Sequence, residues 1–342
     1  MNSRHGRYSY IVMKDIIDLA QVYNTNTVSR QYLIPWISEK LGIHDNYVIV
    51  HCDIIHKPLS VINRFDTIIL DASHNPMDDI KAFRGRVQTF IDKHKNKKVI
   101  VLSDDANEQY YTSYFHLPYS QLVYPIEEKP IKYKFSCLNS VPKIHRLITL
   151  NKIYQHNLQD SVFHSFLWDK QQHSRNHLQT DYWKQDIMDF IDEYEYFMQT
   201  IQHKCPIIID DIKIPYLNDH TVSSPAYNET ALNVITESSC VRLFFSEKTW
   251  KPIYSGQLFL SINAPGSIKK LEQFGFDVFR DLIDHSYDEE TDLVKRVNSC
   301  VNEMGRLNDD IVDIYHRTAL RRKNNFLHLQ SNEFKQLVEI SV

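Results

Sequence analysis

The sequence predicts an α/β protein with two parallel sheets and a helical C-terminus. Three observations predict it: short aliphatic and β-branched runs that end in polar residues, an amphipathic segment between two of them, and a second set of such runs beyond a charged, proline-containing stretch. Strands buried on both faces read as near-continuous apolar runs. Strand, helix and strand at this spacing imply a right-handed crossover within a parallel sheet.

In chain order, Tyr47 to Asp53 (YVIVHCD), Asp66 to Asp71 (DTIILD) and Lys98 to Ser103 (KVIVLS) are the first predicted strands. Between the second and third, MDDIKAFRGRVQTFIDKHKNK carries apolar residues at helical spacing and a basic end, which suits a helix C-terminus. Leu122 to Tyr124 is a candidate further strand. The composition turns charged at Ile126 to Lys134 (IEEKPIKYK), read as a linker. Phe135 to Asn139 (FSCLN) is the next strand, and Val141-Pro142 opens a helix through ITLNKIYQHNL, because proline costs little where the first N–H has no partner. Asp181 to Gln202 reads as an amphipathic surface helix. Glu229 to Thr236 (ETALNVIT) and Gln257 to Ile262 (QLFLSI) are strands flanking a helix that starts near Lys248. Beyond residue 289 two or three helices follow, with a basic stretch at Arg317 to Lys323 (RTALRRK). The expected domains are 1–130, 131–288 and 289–342. Ligands of open parallel sheets sit outside the carboxyl ends of the strands, so the residues after strands are where chemistry is sought.

Composition excludes several classes. The chain of 342 residues is 42% hydrophobic and 12% aromatic, enough for globular cores, and its net charge of −4 advertises no polyanion partner. It has seven glycines, with none between Gly85 and Gly256, and no GxGxxG or GxxxxGK[ST] loop occurs. Cys52, Cys137, Cys205, Cys240 and Cys300 form no CxxC, which argues against a disulfide framework and a structural zinc site. The start, MNSRHGRYSYIVMKD, has no apolar signal core, and no run reaches the roughly 18 apolar residues of a membrane span. The expectation is a cytoplasmic protein.

The segment from Leu232 to Phe279 differs from the rest and holds Gly256, Gly266 and Gly275. A strand ends at Thr236-Glu237-Ser238-Ser239, and after a loop Ser246 is placed to cap a helix with Glu247 and Lys248 in its first turn. Lys at an already positive helix end opposes the dipole unless an anion is held there. Lys248, Arg242 and Lys251 with free backbone N–H groups suit a phosphate or diphosphate, and Glu247 suits sugar hydroxyls.

Glu237-Ser238, Ser246-Glu247-Lys248-Thr249, and Gly256 followed by Leu258-Phe259-Leu260 resemble the nucleotide-sugar signature of fucosyltransferase-like glycosyltransferases of the GT-B fold. The longer strings SEKTWKPI and NAPGSIKKLEQFGFDVF, with Tyr287-Asp288, are similar to glycosyltransferases encoded by bacteriophages and other viruses. The resemblance extends more weakly to Asn139 and His145-Arg146 and leaves out the N-terminal domain. It implies two Rossmann-like domains facing across a cleft, a donor site of Glu237, Arg242, Ser246, Glu247 and Lys248 with Asn139 and Arg146, and metal-independent transfer from a UDP- or GDP-sugar with no other cofactor. Ser238 replaces the family's Asn, Ser246 its Thr, and Gln257-Leu258 its valine-proline, so specificity for fucose and GDP is not implied.

An inverting transfer also wants a base for the acceptor hydroxyl. The candidates follow N-terminal strands: Asp71 and His74 in LDASHNP first, then Asp53 and Asp104. Asp104-Asp105 and Asp210-Asp211 are adjacent pairs, not a DxD, and no metal site is expected. The viral resemblance makes hydroxymethylated double-stranded DNA one candidate acceptor, with Arg317, Arg321, Arg322 and Lys323 and Lys93, Lys95, Lys97 and Lys98 as candidate basic faces. A glycan or protein acceptor, and a binding protein without catalysis, fit the same residues.

Overall fold

The computed structural model describes residues 47–51, 62, 64–72, 80–103, 129–139, 142–168, 187–207, 225–331 and 333–334. The chain divides into two compact units, Met1–Leu117 with Lys335–Val342, and Pro118–Phe334. The division precedes the charged stretch read as a linker, whose Tyr133 and Lys134 already belong to a strand.

The first unit holds a parallel sheet of β1 (Tyr47–His51), β2 (Thr67–Ala72) and β3 (Lys98–Ser103) in the order β1-β2-β3. Leu70 of β2 lies beside Val50 and Val101, the register expected where apolar runs pair in a buried sheet. Helix α1 (Ile80–Lys93) joins β2 to β3 and buries Val87 and Phe90 with Val48, Val50, Ile68 and Leu70. Lys93 in its last turn faces the negative end of the helix dipole.

The second unit holds β4 (Tyr133–Asn139), β5 (Val162–Phe166), β6 (Thr230–Thr236) and β7 (Leu258–Ile262), all parallel, in the order β5-β4-β6-β7. Every residue of β6 and β7 is buried, as predominantly apolar strands covered on both faces require, and the buried Asn233 amide donates to Ser136 Oγ at 2.9 Å. Its helices are α2 (Ile144–Gln155), α3 (Ile191–Thr200), the single turn α4 (Pro225–Asn228), α5 (Glu247–Tyr254), α6 (Ser267–Gln273), α7 (Leu293–Leu307), α8 (Ile311–Arg317) and α9 (Ala319–Gln330). Thus the chain is mixed α/β with two parallel sheets.

Two elements of this unit carry no sequence signal. The edge strand β5 reads VFHSF, with His164 and Ser165 half-buried, so no apolar run announces it. Helix α6 starts at Gly266 in the left-handed region with no local side-chain cap. Its cap comes from 20 residues away: Asp288 Oδ1 accepts from the Ile268 N–H at 3.0 Å, while its Oδ2 accepts from the Lys269 N–H at 3.2 Å. The Ser267 hydroxyl donates to the same carboxylate at 2.9 Å.

The neighbouring Tyr287 is equally structural. Its hydroxyl accepts from the Ser261 N–H (3.0 Å) and donates to His285 Nδ1 (3.0 Å), while His285 Nε2–H donates to the Val278 carbonyl (2.8 Å). Burial holds His285 below its ordinary pKa, in the neutral form this arrangement requires. Asp288→Ala is expected to cost about 2 kcal/mol, since it leaves two helix-start N–H groups unpaired in a buried setting. Urea unfolding of the pair measures this, and equal midpoints would show that α6 starts without the remote cap.

Candidate functional site

Strand order locates the site before any side chain does. The chain leaves β4 toward β5 on one side and β6 toward β7 on the other, so the direction of crossover reverses between the adjacent strands β4 and β6. At such a switch point the two following helices pack on opposite faces, and a crevice opens at the carboxyl ends of the strands. Accordingly α2 packs against α3 and α7, and α5 against α9. Asn139 ends β4, Glu237 follows β6, and the starts of α2 and α5 bring Arg146, Glu247 and Lys248 toward the same edge.

Glu237 is fully buried and accounts for the local conformation. Its Oε1 accepts from the Ser246 N–H (2.9 Å) and the Thr249 hydroxyl (2.6 Å), and its Oε2 from the Ser238 N–H (2.9 Å) and the Ser246 hydroxyl (2.7 Å). Four donors occupy the four lone-pair positions of a carboxylate. Glu237 therefore shapes the loop at residues 238–246 and has no acceptor position left for a sugar. Ser246 caps α5 as its sequence position predicts, its Oγ accepting from the Lys248 N–H at 3.2 Å.

The carbonyls of this turn are held by a neutral histidine and two cations. The Glu237 carbonyl accepts from His145 Nε2–H (2.8 Å) and an Arg146 guanidinium N–H (3.2 Å), and Arg146 also reaches the Thr236 carbonyl at 3.3 Å. Lys143 Nζ donates to the Ser238 carbonyl. Burial, reinforced by Arg146, Lys143 and Arg296, keeps His145 neutral, well below its ordinary pKa. Burial also lowers the pKa of Arg146, against the pull of Glu237 and Glu247. Asn139 ties the two strand ends together, its Oδ1 accepting from the Thr236 hydroxyl at 2.5 Å.

Glu247 and Lys248 form an ion pair at the start of α5, and Lys248 Nζ lies 3.4 Å from Ser238 Oγ. Burial works to raise the Glu247 pKa, but Lys248 and then Lys251 overcome it and hold the carboxyl at about 2. An ionised carboxylate there accepts hydrogen bonds from hydroxyls, and the adjacent ammonium meets an anion. Lys251 lies over the Tyr227 ring (5.6 Å) and Arg242 over Phe244 (5.2 Å). The α5 helix itself is anchored by Trp250, fully buried against Phe245, Phe276 and Phe334 at ring separations of 5.8, 6.0 and 5.5 Å.

The structure thus brings together six of the seven residues expected at the donor site, Asn139, Arg146, Glu237, Ser246, Glu247 and Lys248, while Arg242 lies in the loop between β6 and α5 over the Phe244 ring. Thr249 of the same motif joins them, as do two residues that no motif marks: Lys143, and Arg296 on α7, whose guanidinium reaches the Cys240 carbonyl at 3.3 Å. Of the proposed bases, Asp53, His74 and Asp104 lie outside the described residues. The backbone of Asp71 sits in β2 between His51 of β1 and Leu102 of β3, and its side chain is not among those described.

Part of the basic C-terminal stretch is engaged within the unit. Arg317 pairs with Asp313 at 2.8 Å, and Arg321 pairs with Asp277 (2.6 Å) and Asp281 (2.8 Å). Arg322 is buried, donates to the Gly256 and Tyr315 carbonyls and stacks on the Tyr315 ring at 3.4 Å. Arg321 and Arg322 are thus engaged by partners within the unit, whereas Arg317, in a solvent-exposed pair one helical turn long, and Lys323 lie at the surface. In the first unit Lys93, Lys95 and Lys98 are exposed, and Lys97 donates to the Phe65 carbonyl at 2.5 Å. Cys137 is buried, and burial pushes its thiol up to about 11.

Among the described residues no group of three or more His, Cys, Asp or Glu side chains is placed to hold a metal ion, and no helix is long and apolar enough to cross a membrane. Comparison with protein-family models, curated proteins and solved structures gives no significant match.

Proposed function

We propose that the chain is a glycosyltransferase that moves a sugar from a UDP- or GDP-sugar to an acceptor hydroxyl. One observation carries the reading. At the strand ends where the crossovers reverse in the second unit, the Lys248 ammonium pairs with the ionised Glu247 at the start of α5, and the buried Arg146 holds the adjoining turn. A nucleoside diphosphate sugar offers the complementary groups: phosphates for the Lys248 ammonium, hydroxyls for Glu247. When the sugar departs through an oxocarbenium-like centre, negative charge builds on the diphosphate, and fixed cations stabilise it there.

This reading assigns the donor to the second unit and the acceptor, with a base from Asp71, His74 or Asp53, to the first, the division of labour of GT-B enzymes. With Arg321 and Arg322 engaged inside the unit, a glycan or protein hydroxyl has more support as acceptor than hydroxymethylated DNA. The test is calorimetric titration with a panel of UDP- and GDP-sugars, followed by transfer of labelled sugar to glycan, protein and hydroxymethylpyrimidine DNA. Lys248→Ala is expected to weaken binding of the accepted donor by about 10- to 100-fold, the loss of one charge-assisted contact to phosphate. A panel with no binding and no donor hydrolysis, or a Lys248→Ala protein that binds as the wild type does, overturns the reading.

A further inference from the structure

Arg296 stands out once the roles of the other buried cations are assigned. It lies in the first turn of α7, 56 residues beyond the loop it touches, and only 2% of it is exposed. Its guanidinium donates to three main-chain carbonyls: Glu290 at 2.6 Å, Thr291 at 3.4 Å and Cys240 at 3.3 Å. Its Nε–H is buried without a hydrogen-bond partner. Among the described residues no carboxylate forms an ion pair with it, although Asp288, Glu290 and Asp292 lie near enough to raise its pKa against burial. A buried guanidinium held by neutral carbonyls alone is costly, and native structures keep such an arrangement where the charge or the fork geometry is needed.

What the fork does is visible in its reach. Residues 238–246 form the loop between β6 and α5, and they carry Arg242 and lead into Ser246, Glu247 and Lys248. One side of that loop is tied to the start of α2, through Lys143 on the Ser238 carbonyl. Its far side, at Cys240, is tied by Arg296 to the segment Glu290–Thr291, which itself precedes α7. Val241, the next residue, is 55% exposed and supplies little packing to hold the loop.

We propose that Arg296 is a positioning residue for the donor site: by fixing the Cys240 carbonyl it holds the loop in the conformation that presents Arg242 and Lys248 to the donor's phosphates. The assignment rests on the donor reading for its consequence, while the anchoring of the loop stands on geometry alone. A lysine at this position reaches one carbonyl but not both ends of the fork; a methionine fills the space and reaches neither.

The experiment compares the full chain with Arg296→Lys and Arg296→Met in two measurements. The first is hydrogen–deuterium exchange of the peptide covering residues 238–246. The second is calorimetric binding of UDP and GDP, with KM for donor and kcat once a transferred sugar is known. In Arg296→Met, exchange in that peptide is expected to rise about tenfold while the β6 and β7 peptides keep wild-type protection, and nucleoside diphosphate affinity to fall about tenfold, with the effect in KM and not in kcat. Arg296→Lys is expected to fall between the two. Unchanged exchange in the loop for both variants overturns the proposal, and so does exchange that rises equally across β6 and β7, which marks a general loss of structure. If the wild-type protein binds neither nucleotide, the donor reading fails, and the exchange measurement still decides the anchoring.

Discussion

Glu237→Gln is expected to destabilise the second unit by about 3 kcal/mol, because the amide presents two hydrogens to a pocket that holds four donors and leaves at least two of them unpaired. The four are the Ser238 and Ser246 N–H groups and the Ser246 and Thr249 hydroxyls, all within 2.9 Å of the carboxylate. Urea unfolding measures the loss. The same variant separates two roles for the residue. If Glu237 only fastens the loop, Thr249→Val combined with Glu237→Gln adds less than Thr249→Val does alone, since the hydroxyl has already lost its acceptor. Full additivity of the two substitutions, or a stability equal to wild type, would show that the carboxylate is not what holds the loop to α5.

Glu247 differs from Glu237 in that its partners are cations, so its contribution follows pH. The folded protein holds its carboxyl at about 2, below the ordinary 4.5. A depressed carboxyl pKa contributes stability that is complete above the unfolded value and lost as pH falls toward the folded one. The gap corresponds to about 3 kcal/mol at neutral pH, an upper figure for a pair that keeps some contact with water. Glu247→Gln is therefore expected to be less stable than wild type at neutral pH, with the difference shrinking below about pH 4.5 and reduced by more than half near pH 3. Parallel denaturation series of the two proteins across that range give the difference directly. A difference that stays constant with pH would mean that Lys248 and Lys251 do not hold the carboxylate in the folded state.

The two glutamates show what kind of information each level carries. Both stand in one stretch of sequence, and both read there as donor-site candidates on the strength of residue type and spacing. Their separation into a loop fastener and an ion-paired carboxylate depends on which side chain turns to the donors of Ser238, Ser246 and Thr249 and which stays beside Lys248 and Lys251, and nothing in the local sequence encodes that choice. Ser246 is the opposite case: its capping role depends only on contacts two residues away, and it was legible as it stood.

By itself, the sequence determined the elements whose cause is local. The β6 and β7 runs are mostly apolar because both faces are covered, α1 carries its stripe and basic end, and α5 begins where a serine precedes acidic and basic residues. Tertiary structure alone decided what depends on residues far apart in the chain: β5, stabilised by pairing with β4 in spite of its polar residues; α6, capped by Asp288; Arg321 and Arg322, turned to acceptors 44 and 66 residues away; and Arg296, brought to the loop after β6. The physical reason is the same in each case. A strand edge, an uncapped helix start or a loop carbonyl leaves hydrogen-bonding groups that must be satisfied somewhere, and only the folded chain decides which distant side chain reaches them.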